Sequence, residues 1–105
     1  MTATTLTIAE FLLARLAERR ERAEQAKWAM QGEWFTTADD KVDEFVRDMS
    51  PARVLADVEA KRRIVMRLSA IPAGSPCSPL VDGILADLAL PFAEHPDYRA
   101  EEWAP

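Results

Sequence analysis

The side chains best suited to chemistry are few in this chain. His95 is the only histidine and Cys77 the only cysteine. A catalytic histidine needs a carboxylate or nucleophile within hydrogen-bond reach, and Glu94 and Asp97 are near it only in sequence. The chain also has no Gly-rich phosphate loop and no metal-ligand spacing. We therefore predict a structural hydrogen bond for His95, no catalytic, cofactor or metal site, and a non-enzymatic protein.

The most conspicuous charged motif is the run from Glu59 to Arg63, which includes Lys61 and Arg62. These cations could bind an acidic partner. The spacing also favours helix-stabilising ion pairs of Asp57 with Lys61 and of Glu59 with Arg63. Because charge runs on helices usually face solvent, we favour the structural interpretation, with Lys61 at the edge of an apolar face.

Two other charge patterns suggest alternative functions. A basic stripe of Arg15, Arg19 and Arg22, together with residues 61–63, could serve a nucleic-acid-associated regulator. Interleaved glutamates and a net charge of −5 make nucleic-acid binding the less favoured interpretation. In the last third of the chain Arg99 is the only basic residue, against six acids. Those acids could make the chain a decoy for a DNA-binding protein.

Aromatic residues are the other candidates for partner contact, because tryptophan is enriched in binding hot spots. Three of them lie near the end of the first predicted helix. The C-terminal tail carries two more, and we expect Trp103 to fold back as an anchor. Our candidate partner-binding residues are Trp28, Trp34, Phe35, Lys61, Arg62, His95, Tyr98 and Trp103.

The elements that must position these side chains are all predicted helices. Thr7 and Glu10 form a capping box, so a helix is expected from residue 7 to about residue 30, after a flexible start over residues 1–6. Thr37 can cap a second helix. Its apolar positions are spaced i, i+3, i+4 and i+7. They are Val42, Phe45, Val46 and Met49.

A long helix follows at once, with Ser50 as its cap and Pro51 as its first residue. It should end near Ala70. One side of it is apolar, and we predict that this side is the floor on which the other helices pack. That side carries Val54, Val58, Val65 and Leu68.

Residues 72–78 have the composition of a loop. Ser78 and Pro79 repeat the start signal of the previous helix and predict a last helix there. Pro91 falls inside its apolar stripe and predicts a kink or a fresh short turn. The stripe consists of Leu80, Ile84, Leu85, Leu88 and Phe92.

The chain has 105 residues, of which 49% are hydrophobic, as expected of one folded domain. We predict an all-α protein: a helical hairpin or small bundle of three to four helices with a kinked C-terminal helix. No apolar run is long enough for a membrane span, and the single cysteine fits the cytoplasm. A homodimer would cover the narrow apolar stripe of the first helix.

Two blocks of sequence carry a resemblance to a known family. The first covers residues 51–55 and 59–64, Pro-Ala-Arg-Val-Leu and Glu-Ala-Lys-Arg-Arg-Ile. The second covers residues 88–93 and 95–99, Leu-Ala-Leu-Pro-Phe-Ala and His-Pro-Asp-Tyr-Arg, followed by Trp103. Together they resemble short uncharacterised proteins from actinobacteria and their phages. The resemblance implies such a setting, so we expect a small protein-binding module, an accessory or host-interaction protein of phage or prophage type.

Overall fold

The structure is a computed structural model that describes residues 6–30, 41 and 47–104. Within these residues it contains four α-helices, one 3₁₀ turn and no strand, which confirms the all-α prediction. None of these helices has the length and apolar composition needed to cross a membrane. The helices are α1 (Ile8–Met30), α2 (Pro51–Ser69), α3 (Ser78–Ala89) and α4 (Ala100–Trp103), and the 3₁₀ turn is Leu90–Phe92.

Both long helices begin at the predicted caps. At α1 the Glu10 N–H donates to the Thr7 hydroxyl at 3.1 Å, and the Thr7 N–H donates to the Glu10 carboxylate at 3.2 Å. At α2 the Ser50 hydroxyl accepts from the Arg53 N–H at 3.3 Å, with Pro51 in the first turn. Each cap supplies a partner for a backbone N–H that has none inside the helix.

Helices α1 and α2 form an antiparallel hairpin. Leu13, early in α1, lines a cavity with Met66, late in α2. Glu24, late in α1, lines a second cavity with Leu55, early in α2. The predicted helical hairpin is therefore present, and α3 packs against both of its helices.

The core confirms the predicted role of α2. Val58 and Val65 are buried, with 2% and 0% of their surface exposed, and Val54 and Leu68 pack around them. Across from them α1 contributes three fully buried side chains. The core cluster is completed by Val81, Leu85, Ala89 and Trp103, and the α1 members are Phe11, Leu12 and Leu16.

Helix α3 differs from the prediction at two positions. Leu80 was assigned to the apolar stripe but is 67% exposed, and Val81 takes the buried position instead. Ser78 does not cap the helix. Cys77 occupies the cap position without a side-chain hydrogen bond, while the Ser78 hydroxyl accepts from the Gly74 N–H at 3.1 Å. The hydroxyl thus closes the preceding turn rather than starting the helix.

The fresh short turn predicted at Pro91 is present, because α3 ends at Ala89 and a 3₁₀ turn follows over Leu90–Phe92. The predicted second helix lies almost entirely outside the described residues, as do Thr37, Trp34 and Phe35. Of its apolar positions the structure describes only Met49, which is 58% exposed.

Candidate functional site

The C-terminal segment of residues 94–104, which we call the tail, folds back onto the first half of α1. Phe11 is at the centre of this contact. The Phe11 ring lies 5.1 Å from the Trp103 ring and 6.0 Å from the Tyr98 ring, measured between centroids. Phe92 meets the same ring edge-on at 6.5 Å. Tilted and edge-to-face pairs of this kind stabilise a core beyond their buried area. Trp103 is therefore an anchor, as predicted.

Arg15 joins this tail to α1. Arg15 is the first residue of the basic stripe considered from the sequence, but only 9% of it is exposed, so it does not lie on an open face of α1. Its guanidinium lies 5.3 Å from the centroid of the Phe11 ring. It also forms ion pairs with Glu18 at 3.0 Å and with Asp97 at 3.6 Å. The charge is buried because the aromatic tail covers it and two carboxylates compensate it.

His95 is held by the same cluster. Nη1 of Arg15 contacts both ring nitrogens and lies 2.7 Å from Nδ1. The backbone N–H of Asp97 donates to Nδ1 at 3.0 Å. His95 is therefore hydrogen-bonded within the tail, which is the structural role predicted for it.

A partly apolar surface lies on the hairpin, in a feature that we call the hairpin groove. It consists of two adjoining cavities between α1 and α2, with volumes of about 210 and 440 Å³. Arg20 and Arg62 line both cavities and stand at the point where they meet. The first cavity is lined by Leu13, Leu16, Ala17, Arg20, Val58, Arg62 and Met66, and the second by Arg20, Glu24, Leu55, Glu59, Arg62 and Arg63.

The groove changes in character along its length. At one end it is apolar, where Leu13 is half-buried and Met66 is 50% exposed. At its middle stand Arg20 and Arg62. At the far end two glutamates mix with half-buried Leu55.

The arginines of the groove form exposed ion pairs with those glutamates. Arg20 lies 3.2 Å from Glu24, and Arg62 and Arg63 lie 3.6 and 3.2 Å from Glu59. Exposed pairs of this kind contribute about 0–1 kcal/mol. The arginines can therefore exchange these partners for a carboxylate on a docked molecule at small cost.

Comparison with known proteins places the chain in a family. The family model described as a family of unknown function, DUF6221, matches residues 5–105. This chain belongs to the DUF6221 family. No curated protein and no solved structure matches it. The expectation of an uncharacterised family is confirmed at that level.

The other predicted charged residues of this DUF6221 member are tied into the hairpin. Lys61 pairs with Asp57 at 3.0 Å, and Arg19 reaches the same carboxylate from α1 at 3.9 Å. The Asp57–Lys61 and Glu59–Arg63 pairs are therefore the intrahelical pairs that the spacing predicted. Of the two candidate cations, Lys61 is half-buried and Arg62 is exposed in the groove.

The aromatic candidates divide between the core and the part of the chain that the structure does not describe. Trp103 is 6% exposed, and the Tyr98 hydroxyl is buried. Both side chains therefore serve the tail contact rather than an open surface. The side chain of Trp28 and residues Trp34 and Phe35 lie outside the described part.

The C-terminal acids are divided among three stretches. Asp82 and Asp87 lie on α3, and two more acids lie in the turns that follow it. The last two belong to α4, where Glu102 pairs with Arg99 at 3.0 Å. Within the described residues no group of three or more His, Cys, Asp or Glu could hold a metal ion.

Sequence reasoning missed the groove. Eight of its eleven residues lie four, seven and eleven positions after the first one on each helix, at 13, 17, 20 and 24 and at 55, 59, 62 and 66. That spacing is a helix stripe, and it was a usable signal. The stripe was not recognised because it mixes leucine and methionine with arginine. A search for an apolar pattern or for a charged pattern alone finds only some of its residues.

Proposed function

We propose that this protein is a non-enzymatic protein-binding module that uses the hairpin groove to hold a helix of its partner. The observation that carries the proposal is an apolar floor left open beside two arginines. Met66 is 50% exposed above buried Val58. An amphipathic helix that docks its apolar face in such a groove is a recurrent mode of peptide recognition.

The charges of the groove select the chemistry of that helix. Three arginines and two glutamates line it, and Arg20 and Arg62 line both of its cavities. A carboxylate at this point can accept charge-assisted hydrogen bonds from a guanidinium. The partner helix therefore carries an apolar residue for the Leu13 end and an acid about two turns further along.

The non-enzymatic part of the proposal is supported by the state of the two reactive side chains. His95 is occupied by Arg15 and by the backbone N–H of Asp97. Cys77 is exposed at the cap of α3 and lies in a turn next to Ser78. Neither arrangement pairs a nucleophile with a general base.

The biological setting belongs to the same proposal. The two sequence blocks at residues 51–64 and 88–103 support an accessory or host-interaction role in actinobacteria or their phages, in the cytoplasm. The alternative of a nucleic-acid-associated regulator is less favoured. Arg15 is buried, and Arg19 shares the Asp57 carboxylate with Lys61, so half of the six cations of these stripes are already occupied and fewer are left to neutralise phosphates.

The proposal is tested with two synthetic helical peptides that share one leucine stripe. One peptide carries glutamates beside the stripe and the other carries lysines at the same positions. We expect the acidic peptide to bind and the basic one not to bind, in a fluorescence-anisotropy titration. Met66→Glu and Arg62→Ala should each weaken binding roughly tenfold or more, a change of about 1.4 kcal/mol.

Arg67→Ala is the matched control, because Arg67 is exposed on α2 but does not line the groove. It should leave the affinity for the acidic peptide unchanged. Equal affinity for the two peptides, or equal losses in Arg62→Ala and Arg67→Ala, would refute the groove as the binding surface.

A further inference from the structure

Helix α3 presents an apolar face to solvent as well as to the core. Leu80 is 67% exposed and Leu90, at its end, is 48% exposed. Gly83 and Asp87 lie between them on the same side, at spacings of three and four residues. A Cβ placed on Gly83 would meet no atom within 4 Å. These four exposed residues form what we call the α3 outer face: Leu80, Gly83, Asp87 and Leu90.

The charge of this face comes from Asp87 alone. The sequence has no lysine or arginine between Arg67 and Arg99. Within the described part of the chain Asp82 and Asp87 form no ion pair. The outer face is thus an apolar helix surface with an uncompensated carboxylate, which is the chemistry that the hairpin groove accepts.

The two surfaces also agree in length and in register. From Leu13 to Glu24 the groove follows α1 for about 16 Å, and from Leu80 to Leu90 the outer face extends about 15 Å, at 1.5 Å per residue. Arg20 follows Leu13 by seven residues, and Asp87 follows Leu80 by seven. If α3 of another copy lies along α1 in the same direction, Leu80 reaches the apolar end of the groove and Asp87 reaches the arginines at the same time.

We infer that the α3 outer face of one copy docks in the hairpin groove of a second copy. Leu80 enters the apolar end beside Leu13 and Met66. Asp87 then stands between Arg20 and Arg62 of the second copy. Leu90 extends to the far end of the groove, where Leu55 is half-buried. The inference rests on the proposed function, since it names the source of the helix that the groove binds.

The contact joins two different surfaces of the same chain, so it is head-to-tail. Each copy keeps one free groove and one free outer face after it pairs. Such a heterologous contact continues into longer assemblies or closes into a ring, unlike a two-fold interface, which stops at the dimer.

The test measures mass by sedimentation for one groove variant, Met66→Glu, and one face variant, Leu80→Glu. The wild-type chain should form species larger than a dimer as its concentration rises. Each variant alone should be a monomer, because each lacks one of the two surfaces. An equal mixture should form dimers and nothing larger, since only the intact groove of one variant can take the intact face of the other.

Charge exchange gives an independent check on the register. Arg62→Glu and Asp87→Arg should each weaken the wild-type assembly. When the two variants are mixed, the altered groove of the first should accept the altered face of the second. The native groove of the second should likewise accept the native face of the first, so large species return. Glu101→Arg changes the same charge at an exposed position on α4 and should leave assembly unchanged. All the altered side chains are exposed, and far-UV circular dichroism verifies their folding.

A wild-type chain that stays monomeric while the acidic peptide still binds its groove overturns this inference and leaves the proposed function standing. Self-association that Met66→Glu and Leu80→Glu do not alter also overturns it, as does a mixture of the two that stays monomeric. If the wild-type chain assembles through the groove and the outer face but does not bind the acidic peptide, the result would instead contradict a role in binding other proteins.

Discussion

At the scale of single residues, Arg15 is the position where charge, aromatic packing and the tail meet. Its guanidinium lies against Phe11 and reaches His95 and two carboxylates. Its Nε is buried and has no hydrogen-bond partner among the residues that the structure describes. Burial of a charge is costly unless neighbours compensate it, so Arg15 and the tail depend on each other.

We therefore predict that Arg15→Ala lowers the free energy of unfolding by about 2 kcal/mol, within the range of about 1.5–3 kcal/mol for hydrogen bonds to charged groups. Urea denaturation measures the change. Arg22→Ala is the control, because Arg22 is exposed on the same helix; it should change stability by no more than about 0.5 kcal/mol. Similar losses in the two variants would show that the Arg15 contacts contribute little.

At the scale of elements, α3 has two faces with different roles. Val81, Leu85 and Ala89 pack it on the hairpin, and its opposite face is open. Glycine in a helix interior lowers stability relative to alanine, and within the described part of the chain a Cβ on Gly83 would meet nothing beyond its own helix within 4 Å. The packing of α3 within the chain therefore gives no reason for a glycine there.

Gly83→Ala should therefore raise the free energy of unfolding by about 0.5–1 kcal/mol and the melting temperature by roughly 4 °C. Differential scanning calorimetry at a concentration where the chain is monomeric gives both values. The same substitution should weaken self-association, because the new methyl group would separate α3 from the groove. A lower melting temperature would contradict the open surroundings of Gly83.

At the scale of the whole molecule, the tail and the hairpin share one core. Phe11 from α1, Val65 from α2, Leu85 from α3 and Trp103 from α4 belong to the same buried cluster. Small domains with a single core usually unfold in one cooperative transition. The tail is thus part of the fold rather than an appendage to it.

A chain with Trp28→Phe and Trp34→Phe keeps Trp103 as its only tryptophan. In urea, the fluorescence of Trp103 and the helical circular dichroism should change with the same midpoint. Phe11→Leu should lower both midpoints together, because it weakens the shared core. Release of Trp103 at a lower urea concentration than the loss of helix would instead show that the tail unfolds on its own.

Much of this fold was predictable from local sequence. The caps at Thr7 and Ser50, the break at Pro91 and the apolar side of α2 depend on residues within one or two helical turns. The role of His95 was predicted from its position in a turn. The structure confirms each of these.

Only the tertiary structure decided which faces of these helices are open. Arg15 belongs to a basic stripe in the sequence, but the tail buries it. Leu80 was predicted to be in the core, but it is exposed and Val81 is buried instead. The hairpin groove arises because α3 and the tail pack elsewhere on the hairpin. Local sequence determines where a helix begins and ends and which of its faces is apolar. Whether a given face is buried depends on which distant segments pack against it. That choice is made by the packing of the whole chain.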